Sequence, residues 1–199
     1  MLYVLPMLQR NRRWNTMAAL DTERLTLRDF TLADWDDLNA IVTDPAVTRS
    51  MHFASWDEEK RRQWLARMVQ EASNPHPWHD NWAITLKGGQ LIGWLYIGNQ
   101  GEDAQQGTRG CGYALSQRYW GQGYMTEALR AAFSYEFTVL GTQRIVAECD
   151  TPNTASARVM QKSGMTYQGT FYDADFEGTW AERHHYAIAR QEFLGEDTV

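Results

Sequence analysis

The chain has 199 residues, 43% hydrophobic and 22% charged, with a formal net charge of -6. That length suits one domain with its own core and excludes a chain that is disordered throughout. With 19 Lys and Arg against 25 Asp and Glu, the basic footprint of a nucleic-acid binder is missing, so no DNA partner is expected. No apolar run approaches the ~18 residues of a spanning helix, so no membrane partner is expected either. Cys111 and Cys149 are the two cysteines. Two cannot frame a disulfide scaffold, which points to a reducing, cytoplasmic compartment. Residues 1–20 carry Arg10, Arg12 and Arg13 and no acid. They read as a flexible N-terminal extension ahead of a single domain over 21–199.

Thr22–Phe30 alternates Leu25 and Leu27 with polar residues, the period of a strand. Thr31 with Asp34 opens a helix whose stripe is Leu32, Trp35, Leu38, Ile41 and Val42. Ser55 with Glu58 predicts the start of a second helix, burying Trp64, Leu65, Met68 and Val69. Asn74–Asp80 reads as a loop around Pro75 and Pro77. Trp82–Leu86 and Leu91–Ile97 read as a hairpin about Lys87-Gly88-Gly89-Gln90, and Gly98–Gly110 as a longer turn. A short strand at Gly112–Leu115 precedes a long helix at Gly123–Leu140. Ile145–Cys149 is a strand, and Asn153–Ser163 a helix stopped by Gly164. Tyr167–Tyr172 and Trp180–Ala189 are the last strands. This order predicts an α/β (α+β) mixed sheet of about seven strands, mostly antiparallel with a central parallel pair, and helices on both faces.

The chemistry concentrates in Arg118-Tyr119-Trp120-Gly121-Gln122-Gly123-Tyr124-Met125-Thr126-Glu127-Ala128. Two glycines between a strand and a long helix allow close backbone approach, and the helix N-terminus adds about half a positive charge. Together they suit a pyrophosphate. A P-loop is excluded because no Gly-Lys-Ser/Thr follows. A dinucleotide fingerprint would need its glycines directly after the strand and a second half-sheet; Ser116–Trp120 intervenes and no such series follows.

Arg118-x-x-Gly121-x-Gly123 resembles the Arg/Gln-x-x-Gly-x-Gly/Ala signature of the GNAT superfamily of acyl-CoA N-acyltransferases. Tyr119–Ala128 is similar to its RimJ/RimL-type branch. Asn153-Thr154-Ala155-Ser156 and Lys162-Ser163-Gly164-Met165 resemble a second segment of that branch. The resemblance covers about residues 22–192. It implies acetyl-CoA as co-substrate, without a metal, and an amine acceptor: a protein N-terminus or a small molecule, served by a monomer or homodimer. The N–H groups of Gly121, Gln122, Gly123, Tyr124, Met125 and Thr126, with Arg118 nearby, would clasp the pyrophosphate. Tyr113, Ala114 and Leu115 would pair with the pantetheine arm as an added strand, and an amide near Ala114 or Leu115 would take the oxyanion. Asn153 reads both as helix N-cap and as cofactor contact. Arg158 and Lys162 read as solvated helix residues or as partners of the ribose phosphate.

Ser156 is the implied group for the leaving sulfur. The strand glutamate of many relatives corresponds here to Gly110, so Asp173 and Asp175 stand as substitute bases, with Glu182 structural. The histidine pairs, His76 with His79 and His184 with His185, do not form metal geometry. Trp35, Trp56, Trp64, Trp78, Trp82 and Trp180 supply core and acceptor-pocket wall. A non-catalytic module that senses coenzyme A or binds a protein partner is the alternative on the same fold.

Overall fold

The computed structural model describes residues 19–49, 51, 56–74, 79–99, 107–174 and 180–195. Eight strands form one sheet in the order β1-β2-β3-β4-β5-β6-β8-β7. They are β1 Leu20–Asp21, β2 Leu25–Arg28, β3 His79–Leu86, β4 Leu91–Asn99, β5 Thr108–Leu115, β6 Arg144–Asp150, β7 Thr166–Ala174 and β8 Trp180–Ala189. Every pairing is antiparallel except β5 with β6. The mixed sheet and central parallel pair agree with expectation. The additional strand is the two-residue β1, too short for a periodicity to reveal.

Helices α1 (Trp35–Thr43), α2 (Pro45–Thr48) and α3 (Glu58–Ala72) serve one face of the sheet. There Phe30, Leu38, Ile41, Leu65, Met68, Ala83, Trp94 and Ala114 form one core. Helices α4 (Tyr124–Tyr135) and α5 (Thr154–Lys162) serve the other. Leu25, Trp82, Ile84, Leu95, Ile97, Met125, Leu129 and Phe133 form the second core. Alternation along each strand feeds both layers: Leu95 and Ile97 point one way, Trp94 and Tyr96 the other.

Several boundaries differ from the expectation. Ser55 lies outside the described residues, and the N-cap of α3 is Asp57, which accepts from Lys60 N–H at 2.7 Å. A carboxylate beside the first turn does what a serine would have done, and the helix dipole favours it further. His79 and Asp80 belong to β3, and Thr108–Gly110 to β5, where a loop and a turn were expected. Both stretches lack an apolar alternation because their neighbours supply the order. Asp80 is buried against Arg109 rather than against hydrocarbon.

The long helix is α-helical to Tyr135 and widens into a π turn at Glu136–Leu140 before Gly141, whose φ is +74°. A last short helix, α6 (Arg190–Leu194), follows β8 beyond the elements expected from apolar periodicity.

One polar cluster locks the lower end of the parallel pair. Arg109 donates to Asp80 at 2.7 Å, to both oxygens of Glu136 at 2.7 and 2.8 Å, and to the Ile97 carbonyl at 2.9 Å. Thr142 donates to Glu136 at 2.5 Å. The cluster joins β3, β4, β5 and the π turn. Burial of both carboxylates beside one guanidinium leaves them crowded, and burial pushes the Glu136 carboxyl up to about 7.

Candidate active site

The parallel pair β5–β6 is short. Thr108, Arg109 and Gly110 pair with Arg144, Ile145 and Val146, and pairing stops there. Cys111–Leu115 and Ala147–Asp150 then diverge, opening a cleft in the middle of the sheet. Which β5 groups face that cleft follows from the ladder with β4. Ser116 N–H donates to the Ile92 carbonyl at 2.8 Å, which makes Gly93 and Leu115 a pair without mutual bonds. Ala114 must then bond Trp94, and the main-chain groups of Tyr113 and Leu115 turn toward β6. The Leu115 carbonyl is taken by the indole N–H of Trp120 at 2.7 Å. The Tyr113 and Leu115 N–H groups face the cleft, beyond the last pairing of β5 with β6 among the described residues. Ala114, expected to share that role, faces its amide to β4.

β5 leads through a 3-10 turn, Gln117–Tyr119, into the glycine loop and α4. Gly121 and Gly123 have φ of +72° and +83°, the left-handed region that a side chain disfavours. A Cβ on Gly121 would meet nothing within 4 Å, and one on Gly123 only the Arg24 guanidinium at 3.5 Å. The bare backbone therefore faces open space rather than packing. No side chain caps α4, and its first bond runs from Glu127 N–H to the Gly123 carbonyl. The N–H groups of Tyr124, Met125 and Thr126 lie in the uncapped first turn, where the dipole is positive. Met125 itself is buried as a core residue; its amide, not its side chain, belongs to the loop.

Arg24, which the sequence reading did not single out, braces this loop from the β1–β2 connection. Its guanidinium donates to the Gln122 carbonyl at 2.9 Å and to Glu127 at 2.7 Å, and lies 4.4 Å over the Tyr124 ring. Glu127 also accepts from Thr22 Oγ1 at 2.6 Å and from Arg24 N–H at 2.9 Å. These bonds stabilise its charged form, holding the carboxyl below its ordinary range against partial burial. Arg118 is exposed in the 3-10 turn, with its carbonyl accepting from Gln122 Nε2 at 3.1 Å.

Across the cleft stands the start of α5. Asn153 is its N-cap, Oδ1 accepting from Ser156 N–H at 3.1 Å. Ser156 Oγ lies 2.8 Å from the Tyr113 hydroxyl, which also donates to the Ser156 carbonyl at 3.2 Å. The pair links β5 to α5 over the gap that the strands leave. Burial raises the Tyr113 phenol well above its ordinary value, so it stays a neutral donor, despite the opposing bond from Ser156. The Cys149 thiol also neighbours Ser156; burial, then the charge of Asp150, push it up to about 11. Cys111 is pushed up to about 12 by burial. Both thiols are free and buried. The hydroxyl of Tyr113 was not anticipated, because only tertiary packing reveals which strand residue meets α5.

The remaining candidates scatter. Asp173 lies on β7 opposite Ala181, and Asp175 falls outside the described residues. Glu182 is exposed on β8. Arg158 and Lys162 are exposed on α5, the Lys162 carbonyl accepting from Arg130 at 2.6 Å. Trp82 is wholly core, Trp180 is exposed, and Trp78 lies outside the described residues. Trp56, Trp64 and Trp94 meet edge to face on the α1–α3 side of the sheet, with Tyr96 stacked beyond Trp94. Among the described residues no group of three or more His, Cys, Asp or Glu is arranged to hold a metal ion.

The sequence matches the family model described as an acetyltransferase (GNAT) domain over residues 24–166. An uncharacterized N-acetyltransferase, p20, of Bacillus licheniformis is 27% identical over 180 residues, 90% of this chain and 100% of that protein. A GNAT-family acetyltransferase of Bacillus anthracis superposes with a TM-score of 0.73 at 27% identity, covering 87% of this chain and 99% of the other. RimL, the ribosomal L7/L12 α-N-protein acetyltransferase, solved with coenzyme A, shares the fold at a TM-score of 0.73 and 19% identity, covering 86% and 97%. The chain belongs to the GNAT acetyltransferase family and is an acetyl-CoA-dependent acyltransferase.

Proposed function

We infer that the protein moves an acetyl group from acetyl-CoA to a primary amine, a protein N-terminal α-amine or a small-molecule amine, by direct attack in a ternary complex. The observation that carries this reading is the Tyr113–Ser156 hydroxyl pair set across the cleft beside the unspent Tyr113 and Leu115 amides. A module that only sensed coenzyme A would need the glycine loop but not a proton donor at the cleft.

In this reading the amides of Gly121–Thr126 hold the pyrophosphate, with the loop's shape fixed by Arg24. The Tyr113 and Leu115 N–H groups fix the pantetheine arm, and one of them stabilises the oxyanion as it forms. Ser156 Oγ faces the departing sulfur and passes it a proton, Tyr113 resupplying or ordering that hydroxyl. Asn153 orients Ser156 by capping α5. Asp173 and Asp175 lie toward the acceptor side in this reading. The likeness to RimL favours an α-amine among the acceptors. Two buried free thiols suit the cytoplasm.

The test is thiol release from acetyl-CoA with three acceptors: a serine-initiated tetrapeptide amide, Nα-acetyl-lysine amide and spermidine. Release above the hydrolysis blank with at least one of them is expected. Coenzyme A binding by calorimetry without release on any acceptor would instead support the sensing module.

A further inference from the structure

Resting on the acetyl-transfer reading above, we propose that His79 is the general base that takes the proton from the incoming amine. On β5 the residues Gly110, Gly112 and Ala114 face the α1–α3 side of the sheet, because Cys111, Tyr113 and Leu115 pack with the opposite core. That side is where the resemblance places a strand carboxylate, and at Gly110 there is none. The gap is matched on the next strand. Gly98 of β4 is the register partner of Gly110, and His79 of β3 is the register partner of Gly98. The three positions form one row across the sheet, two of them bare.

The imidazole of His79 occupies the space that Gly98 frees. A Cβ on Gly98 would overlap its ring. A Cβ on Gly112 would likewise overlap the Tyr96 ring and lie 3.1 Å from its hydroxyl. The His79 and Tyr96 rings meet edge to face at 5.8 Å. The imidazole thus lies over β4 at Gly98, and the Tyr96 phenol beside it lies over β5 at Gly112, on the α1–α3 side of the strand that borders the cleft. Ser156 and Tyr113 serve the other side. The division suits the reaction: the amine enters from one side of the sheet and the sulfur is served from the other.

The groups around His79 are Glu71 of α3, Asp80 beside it on β3, Arg109 of β5 and Tyr96 of β4. Partial burial lowers the imidazole's pKa, with the Arg109 charge and against Glu71 and Asp80, which favours its neutral form. Glu71 keeps one buried carboxylate oxygen without a hydrogen-bond partner among the described residues, and its charge stabilises the imidazolium once formed. Burial holds the Tyr96 phenol up to about 12, so it remains a neutral hydroxyl.

The steps balance. His79 takes one proton from the ammonium, leaving a neutral amine. The nitrogen bonds to the thioester carbonyl carbon, the C–S bond breaks, and the sulfur receives a proton through Ser156. The proton that the new amide nitrogen sheds restores the Ser156–Tyr113 pair. His79 returns its proton to solvent. A base held below the ordinary imidazole range lies nearer an α-amine at ~7.7–8.0 than a lysine at ~10.4, so it suits α-amines.

The experiment compares the full chain with His79→Gln and His79→Ala on the serine-initiated tetrapeptide amide, following kcat/KM from pH 5.5 to 9.5. With a base present, the wild-type limb sits below the amine's own titration, at or under the ordinary imidazole range. Without it the reaction waits for the neutral amine, and the limb moves to the amine's own pKa. His79→Gln therefore loses roughly 10²-fold at pH 6 and approaches wild type by pH 9. Free imidazole restores part of the His79→Ala rate, and acetyl-CoA affinity by calorimetry is unchanged. A loss equal at every pH, a loss of acetyl-CoA affinity, or no loss at pH 6 overturns the assignment while leaving acetyl transfer standing. If the wild type turns over none of the three acceptors above, the functional reading falls and the base falls with it.

Discussion

Removing the Ser156 hydroxyl tests the cleft most directly. Ser156→Ala deletes the 2.8 Å contact with Tyr113, yet Tyr113 keeps the Ser156 carbonyl at 3.2 Å, so no buried phenol is orphaned. The backbone cap from Asn153 also survives, since it uses Ser156 N–H. The stability cost is then that of one ordinary hydrogen bond, about 1 kcal/mol. Alanine's better helix propensity offsets up to ~0.5 kcal/mol of it. The kinetic cost is separate. A thiolate with a pKa near 8.5 leaves readily, so proton assistance sits at the low end of its range, about tenfold in kcat, or ~1.4 kcal/mol. Tyr113→Phe removes the other half of the same relay and is expected to lower kcat by a similar factor. If the two act in series, the double variant is no slower than either single one, a coupling of about 1.4 kcal/mol. Steady-state thiol release at saturating acetyl-CoA, with melting curves for all four proteins, supplies the cycle. Independent tenfold losses that multiply to a hundredfold would refute the relay. An unchanged kcat with a lowered melting point would reduce Ser156 to a helix-start residue.

Gly123→Val places a branched side chain at φ +83° and into the open face of the loop; acetyl-CoA binding by calorimetry should vanish while the circular dichroism spectrum persists. Arg24→Ala removes the brace on the Gln122 carbonyl but leaves Glu127 bonded to Thr22 and to the main chain; KM for acetyl-CoA should rise by roughly three- to tenfold with kcat little changed. Glu136 has a folded pKa of about 7, raised mainly by burial from 4.5. The folded state binds the extra proton between those values, so stability falls as pH rises from about 4.5 to 7, by on the order of 2 kcal/mol. Melting temperatures at pH 5 and 8 should show this for wild type and less of it for Glu136→Gln. Cys111 and Cys149, with thiols at about 12 and 11, should resist alkylation at pH 8 until the protein unfolds.

The glycine loop was legible because its cause is local. Gly121 and Gly123 need left-handed backbone, the long apolar stripe after them needs a helix, and both lie within about ten residues. Asn153 as N-cap and Gly164 as stop, at φ +99°, were legible for the same reason. The strand order could be read in outline from apolar alternation. What could not be read are the contacts between residues far apart in the chain. Arg24 meets Gln122 only because β2 lies beside α4, and Tyr113 meets Ser156 only because β5 and β6 part after Gly110 and Val146. The row His79, Gly98, Gly110 depends on the register of three strands, which no local pattern encodes when two of its members lack side chains. Local conformation is set by each residue's own backbone preferences. The site's chemistry is set by register and by where a strand pair ends, and those are decided by the packing of both cores at once.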